Sequence, residues 1–157
     1  MAYLTRRPSN WIINTLPGVA IILGGSIYLF LRPGEVLFLN WARSTGLDTV
    51  VSLLRPENPD VFSSLPTWTV YSLPGALWAF AYSLVITRLW INKRHWIRYL
   101  WLSTIPLLVI GFEVLQYPGI LPGTFSIPDL IANLLGSAAG IFIGITSKSI
   151  NHEYKNH

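Results

Sequence analysis

Long runs without a charged residue limit the folds that this chain can adopt. No charged side chain occurs from Asn10 to Leu31, and a helix that crosses a bilayer needs roughly 20 mostly apolar residues. Charged residues make up 11% of the sequence, whereas a typical soluble domain has about 25%. The sequence therefore predicts an all-α, polytopic membrane protein that forms a single domain over residues 1–157.

Four stretches of the chain meet the length requirement for a membrane span. The predicted transmembrane helices cover approximately residues 11–31, 71–90, 99–117 and 127–147. Residues 35–66 join the first two spans and contain two short apolar runs that are divided by Gly46. Neither run is long enough to cross, so we predict interfacial helices there, followed by a proline-rich loop.

The distribution of Lys and Arg predicts the orientation of the spans. Loops on the cytoplasmic side of a membrane carry the excess of these residues. Four spans place eight of the eleven on the side of both termini, and the other three are Arg32, Arg43 and Arg55. Both termini are therefore predicted to be cytoplasmic, and the basic residues follow topology rather than forming a nucleic-acid patch. Cysteine is absent, which excludes disulfides, iron–sulfur clusters and thiolate catalysis.

The stretch from Phe112 to Asn133 carries four polar residues at the predicted ends of spans three and four: Glu113, Gln116, Asp129 and Asn133. Polar groups are costly in hydrocarbon and often mark functional sites. Two of the four also have a structural interpretation. Ser126 and Asp129 have the spacing of a capping box, and Asn133 lies one turn further along, where it could make an interhelical hydrogen bond.

Glu113 and Gln116 are harder to explain as structural residues. Glu113 lies near the predicted C-terminal end of span three, where the helix dipole disfavours a negative charge. No Lys or Arg lies within one turn of it, and Gln116 shares its helix face. We expect Glu113 to face inward, close to Asp129 or Asn133.

Two further sets of residues stand out near these positions. Gly136, Gly140 and Gly144 recur every four residues, and small residues at that spacing let another helix approach closely. Tyr71 lies at the predicted outer start of span two. It is either an interfacial anchor or part of a ligand- or partner-binding site with the four polar residues.

A family resemblance follows from this motif. Glu113-x-x-Gln116 at the end of one span, then Asp129-x-x-x-Asn133-x-x-Gly136-x-x-x-Gly140 at the start of the next, resembles the VanZ-like family of small bacterial membrane proteins. The segment Leu65–Leu84 also resembles the second span of that family. The chain departs from the family at Gly75 and Ser126, where members often carry an acid, and near Thr124, where they often carry Arg.

The resemblance implies a bacterial cytoplasmic (inner) membrane location and a four-span fold, but no settled reaction; the family is named for teicoplanin resistance. We expect a non-enzymatic protein whose outer polar cluster binds an envelope ligand or a partner. One version of this hypothesis is an accessory subunit of a larger membrane complex, and another is a homo-oligomer. The alternative is an envelope-lipid-modifying enzyme or resistance factor with Glu113 and Asp129 as acid and base. Proton-coupled transport through Glu113 is a third hypothesis. No cofactor, metal or nucleic acid is expected.

Overall fold

The computed structural model describes residues 10–32, 45–46, 49, 65–121 and 125–153, and of residues 10 and 148–153 it describes the backbone only. These residues form helices and turns, with no strand among them. In chain order the helices are α1 (Asn10–Ser26), a π-helical turn (Ile27–Leu31), α2 (Thr67–Tyr71), α3 (Leu73–Trp90), α4 (Ile97–Gln116) and α5 (Ile127–Glu153). The all-α prediction is confirmed for this part of the chain.

Three of the helical segments are long and apolar enough to cross a membrane: Trp11–Leu31, Ile97–Gln116 and Ile127–Ser147. Their bounds agree closely with the first, third and fourth predicted spans. Large apolar side chains on all three point away from the rest of the chain, and Ile22, Leu107 and Phe142 are 69%, 70% and 67% exposed. Apolar surface on this scale suits lipid rather than water and indicates a multi-pass membrane protein.

The predicted second span corresponds to α3, which is 18 residues long but is not among the three apolar segments. Pro74, Trp78, Tyr82 and Arg88 lower its hydropathy. Its position explains this composition, because α3 contacts α1, α4 and α5. A helix that is covered by other helices does not need an apolar surface on every side.

The predicted interfacial helices lie almost entirely outside the described residues. Within 35–66, the structure describes Thr45, Gly46, Thr49, Leu65 and Pro66. Gly46 has a φ of +78°, which is the left-handed region that glycine adopts readily and other residues rarely adopt. This turn agrees with the break that the sequence places at Gly46.

Helices α3 and α5 form the closest helix pair of the described structure. A Cβ added to Gly136 would collide with the carbonyl oxygen of Ala76, and one on Gly140 would collide with that of Phe80. A Cβ on Gly144 would lie 2.8 Å from Cγ2 of Thr87. The three glycines therefore allow backbone-to-backbone packing, and since the paired residue numbers rise together, α3 and α5 run parallel.

The other two long helices run antiparallel to α3. On α1, the carbonyl oxygen of Ile21 lies 3.4 Å from Nε1 of Trp78, and a Cβ added to Gly24 would lie 3.2 Å from the carbonyl oxygen of Pro74. On α4, the Thr104 hydroxyl lies 2.6 Å from that of Tyr82, and Trp101 stacks on Trp90. The end of α1, the starts of α3 and α5 and the end of α4 consequently lie together, at what we call the cleft end of the bundle.

Candidate functional site

An open cavity of about 590 Å³ lies at the cleft end of the bundle, and we call it the cleft. Its walls come from the end of the π-helical turn, from α2, from the last turn of α4 and from the start of α5. The lining residues are Arg32, Thr67, Trp68, Tyr71, Glu113, Gln116, Ser126, Pro128 and Asp129. Four of the five sequence-predicted binding residues, Tyr71, Glu113, Gln116 and Asp129, are therefore brought together, and Asn133 is not.

The start of α5 shows why Asp129 lies in the cleft. The backbone N–H of Asp129 donates to Oγ of Ser126 over 3.4 Å, which is the cap that the spacing of these residues predicted. In a capping box the acid reaches back to the N–H of the capping residue. Asp129 instead accepts a 2.5 Å hydrogen bond from Oγ of Ser72, a residue with 4% of its surface exposed.

Glu113 makes the hydrogen bond to the backbone N–H of the capping residue that Asp129 does not make. Its Oε2 accepts a hydrogen bond of 3.3 Å from the backbone N–H of Ser126, so the second half of the capping box is completed by the neighbouring helix. Glu113 is 6% exposed, in agreement with the inward-facing position expected from the sequence. Each carboxylate is thus held by a donor from a different element.

The turn after α4 brings Ser126 back over Glu113. Gly119 has a φ of +74°, and the N–H of Ile120 donates to the carbonyl of Leu115 over 3.0 Å. This Schellman-type ending terminates the helix and reverses the chain. The rings of Tyr117 and Phe125 then meet edge to face, with centroids 5.6 Å apart. This contact places Phe125, which lies just before α5, beside the end of α4.

Arg32 is the charged cleft residue that the site analysis of the sequence missed; Thr67, Trp68 and Pro128 were also not among the predicted site residues. Its guanidinium carbon lies 5.2 Å from the ring centroid of Tyr28 and 5.3 Å from that of Tyr71, within cation–π distance of both. The π-helical turn that precedes Arg32 is wider than an α-helical turn, and such turns are frequent at functional sites. The sequence could have indicated Arg32 only through topology, because Arg32 follows the first span on the same predicted side of the membrane as Glu113.

Asn133 lines a second cavity of about 320 Å³, which we call the groove and which lies between α3, α4 and α5. Its buried Oδ1 has no hydrogen-bond partner among the described residues, so the expected interhelical hydrogen bond through this oxygen is not formed. The oxygen faces Gly75, where an added Cβ would lie 2.6 Å away. A glycine in a helix offers it only a Cα–H group.

The cleft combines one guanidinium, two carboxylates and the side-chain amide of Gln116 with the aromatic rings of Trp68 and Tyr71. Groups of both signs allow it to hold a polar ligand that carries both charges. Within the described residues, no three His, Cys, Asp or Glu side chains gather as a metal site requires. The arrangement is an open polar pocket at the end of a helix bundle.

Compared with protein-family models, with curated proteins and with solved structures, the chain matches none of them.

Proposed function

We propose that this protein is a VanZ-like, four-span protein of the bacterial cytoplasmic membrane whose cleft binds an envelope ligand on the outer side. One observation carries the proposal. Arg32, Glu113 and Asp129 come from three separate helical segments and line the same open cavity. Charged groups near a membrane are costly, and their convergence on a cavity favours binding over a purely structural role.

The parallel packing of α3 and α5 supports α3 as a membrane span, which brings the number of spans to four. Ala76 to Thr87 of α3 lies alongside Gly136 to Gly144 of α5, and this part of α5 lies inside one of the three apolar segments. Two parallel helices in contact over that length occupy the same depth of the bilayer. The basic residues of the turn between α3 and α4 then face the cytoplasm, and the cleft faces outward.

The cleft has the volume of a ligand-binding pocket, and its carboxylates are already positioned by hydrogen bonds. Its volume of about 590 Å³ falls within the roughly 300–1,000 Å³ that is usual for pockets that bind small molecules. Ser72 and Ser126 already hold the two carboxylates through hydrogen bonds, so the acids are positioned before a ligand arrives. A preformed site loses less conformational freedom on binding.

The proposal is tested by purifying the protein with its native lipids and identifying bound envelope molecules by native mass spectrometry. We expect a ligand that is retained by the wild-type protein and lost from a Glu113→Gln and Asp129→Asn double variant, which keeps the size of both side chains. Ser103→Ala is the control, because Ser103 is exposed and its hydroxyl donates to the carbonyl of Leu100 on its own helix. Equal retention by all three proteins would rule out binding at the cleft.

The same preparation tests the expected accessory-subunit or homo-oligomer role through the mass of the intact complex. A stoichiometric membrane-protein partner, or a second copy of the chain, would appear in the spectrum before dissociation. A stable monomer with bound ligand would limit the function to ligand binding.

An enzymatic function is the second candidate, since Glu113 and Asp129 line one open cleft and paired carboxyl groups can act as acid and base. Incubation with lipid-linked envelope precursors, followed by mass analysis of the products, tests it. Turnover that is lost in Glu113→Gln would support catalysis, and resistance to teicoplanin-type antibiotics in cells that carry the protein would support the related resistance role. Unchanged precursors would leave ligand binding as the function.

A further inference from the structure

The cleft and the groove are stacked along the same helices. On α4 and on α5, a residue of one cavity lies four positions, or about one helical turn of 5.4 Å, from a residue of the other, and the same spacing joins the end of α2 to the first turn of α3. The pairs are Tyr71 and Gly75, Glu113 and Val109, and Asp129 and Asn133. The change from a charged to an apolar lining therefore occurs at one level of the bundle.

The groove below the cleft is apolar and open at its side. Leu108 and Phe112 of α4 form part of its wall and remain 40% and 54% exposed. Helix α4 packs on α3 and α5 less extensively than these two pack on each other, which leaves the space between them. Protein interiors are normally filled to the density of organic crystals, and around a membrane helix the material that fills such a gap is hydrocarbon.

From this stacking we infer that the cleft and the groove bind one amphiphile, a phospholipid with an ammonium group, whose headgroup lies in the cleft and one of whose chains lies in the groove. The inference rests on the proposed function and names its ligand class. The two carboxylates face the ammonium group, and Arg32 faces the phosphate, for which a guanidinium is well suited.

Binding measurements on the delipidated protein test the inference. The probes are a phosphatidylethanolamine, a phosphatidylglycerol with the same chains, a lysophosphatidylethanolamine and glycerophosphoethanolamine, which has no chain. We expect phosphatidylethanolamine to bind about tenfold more tightly than phosphatidylglycerol. Equal affinity for these two would overturn the assignment of the headgroup. We expect lysophosphatidylethanolamine to bind as tightly as phosphatidylethanolamine, because only one chain lies in the groove.

Leu108→Trp narrows the groove at its open edge, and Leu107→Trp is the matched control on the lipid-facing side of the same helix. We expect Leu108→Trp to lower the affinity for phosphatidylethanolamine about tenfold, with little change for glycerophosphoethanolamine. Leu107→Trp should leave both affinities as in the wild-type protein. Wild-type affinity for phosphatidylethanolamine in Leu108→Trp would show that the groove holds no chain.

Photocrosslinking to the unmodified protein provides a measurement that does not depend on a variant's folding. A phosphatidylethanolamine with a photoreactive group in one chain should label Leu108 and Phe112, and excess unlabelled lipid should suppress this labelling. If Leu107 and Leu135, which are exposed outside the groove, were labelled as strongly as Leu108 and Phe112, the groove would hold no bound chain.

The two proposals fail in different ways. If the cleft variants Glu113→Gln and Asp129→Asn retain every ligand of the wild-type protein, the proposed function fails. If those variants lose their ligand but phosphatidylethanolamine is not preferred, or Leu108→Trp has no effect, only the amphiphile inference fails.

Discussion

Oγ of Ser72 lies 2.5 Å from Oδ1 of Asp129 and donates a hydrogen bond to it. This contact joins the residue before α3 to the first turn of α5, and it lies beside the contact between Glu113 and the N–H of Ser126. Together the two contacts connect α3, α4 and α5 at the cleft end. The carboxylates therefore have a structural task that is separate from any ligand, and substitutions can distinguish the two tasks.

Ser72→Ala should lower both stability and ligand binding. Removing the hydroxyl leaves the Asp129 carboxylate without this donor in a part-buried position, which costs about 1–3 kcal/mol. Thermal denaturation in detergent measures the loss. Ser103→Ala is the matched control, because Ser103 is exposed and donates to the Leu100 carbonyl of its own helix; a similar loss in both variants would show that the Ser72 contact contributes nothing specific.

Glu113→Gln and Glu113→Ala should separate charge from hydrogen bonding. The amide oxygen of Gln can still accept from the N–H of Ser126, so we expect the Gln variant to fold with near wild-type stability and to bind the ammonium-bearing ligand weakly. Ala removes the acceptor as well and should cost an additional 1–3 kcal/mol or so. The measurements are thermal denaturation and ligand affinity for each variant. Equal stability of the two variants would show that the Ser126 contact is not stabilising.

Gly136→Ala should destabilise the protein strongly, because its Cβ would collide with the backbone carbonyl of Ala76. Backbone cannot move aside as a flexible side chain can, so we expect a loss of about 1–3 kcal/mol or more. Gly111→Ala is the control: it lies inside α4 with nothing within 4 Å of an added Cβ, and it should be neutral or stabilising by up to about 1 kcal/mol. The reverse order of melting temperatures would contradict the packing of α3 on α5.

Tyr82→Phe should loosen the attachment of α4. The Thr104 hydroxyl donates to the carbonyl of Trp101, so the 2.6 Å contact between Tyr82 and Thr104 has Tyr82 as the donor. Interhelical hydrogen bonds in membrane proteins contribute about 0.6 kcal/mol on average. We therefore expect the free energy of unfolding of the variant to fall by about that amount. Tyr99→Phe serves as the control, since Tyr99 is 62% exposed and its hydroxyl accepts from the adjacent Arg98.

Much of the helical framework could be predicted from the sequence, because hydropathy and capping are local properties. The apolar runs gave the bounds of three helices that can span, and the spacing of Ser126 and Asp129 gave the cap at the start of α5. The polar character of the stretch from Glu113 to Asp129 also identified three of the nine residues that line the cleft: Glu113, Gln116 and Asp129. These features depend on residues that are neighbours along the chain.

The remaining features depend on how distant segments meet. Arg32 enters the cleft through a π-helical turn, which has no recognised pattern in the sequence. The N–H of Ser126 donates to Glu113 of α4, a contact between two helices that the spacing of Ser126 and Asp129 does not indicate. Asn133 faces Gly75 because α3 and α5 pack in register, and one sequence does not reveal that register. The membrane crossing of α3 stays a prediction as well. Its hydropathy is lower than that of the other long helices, and the helices that cover it are distant in the sequence.

The packing of α3 on α5 has a consequence for how the chain is made. These two helices are separated in sequence by α4, so the best-packed contact of the described structure cannot form until α5 has left the ribosome. Until then, Ser83 and Thr87, whose buried hydroxyls have no hydrogen-bond partner among the described residues, have no Gly140 or Gly144 packed against them. Insertion of the early helices must therefore precede their final packing, and a chain that stops after α4 would leave the central helix without its main partner.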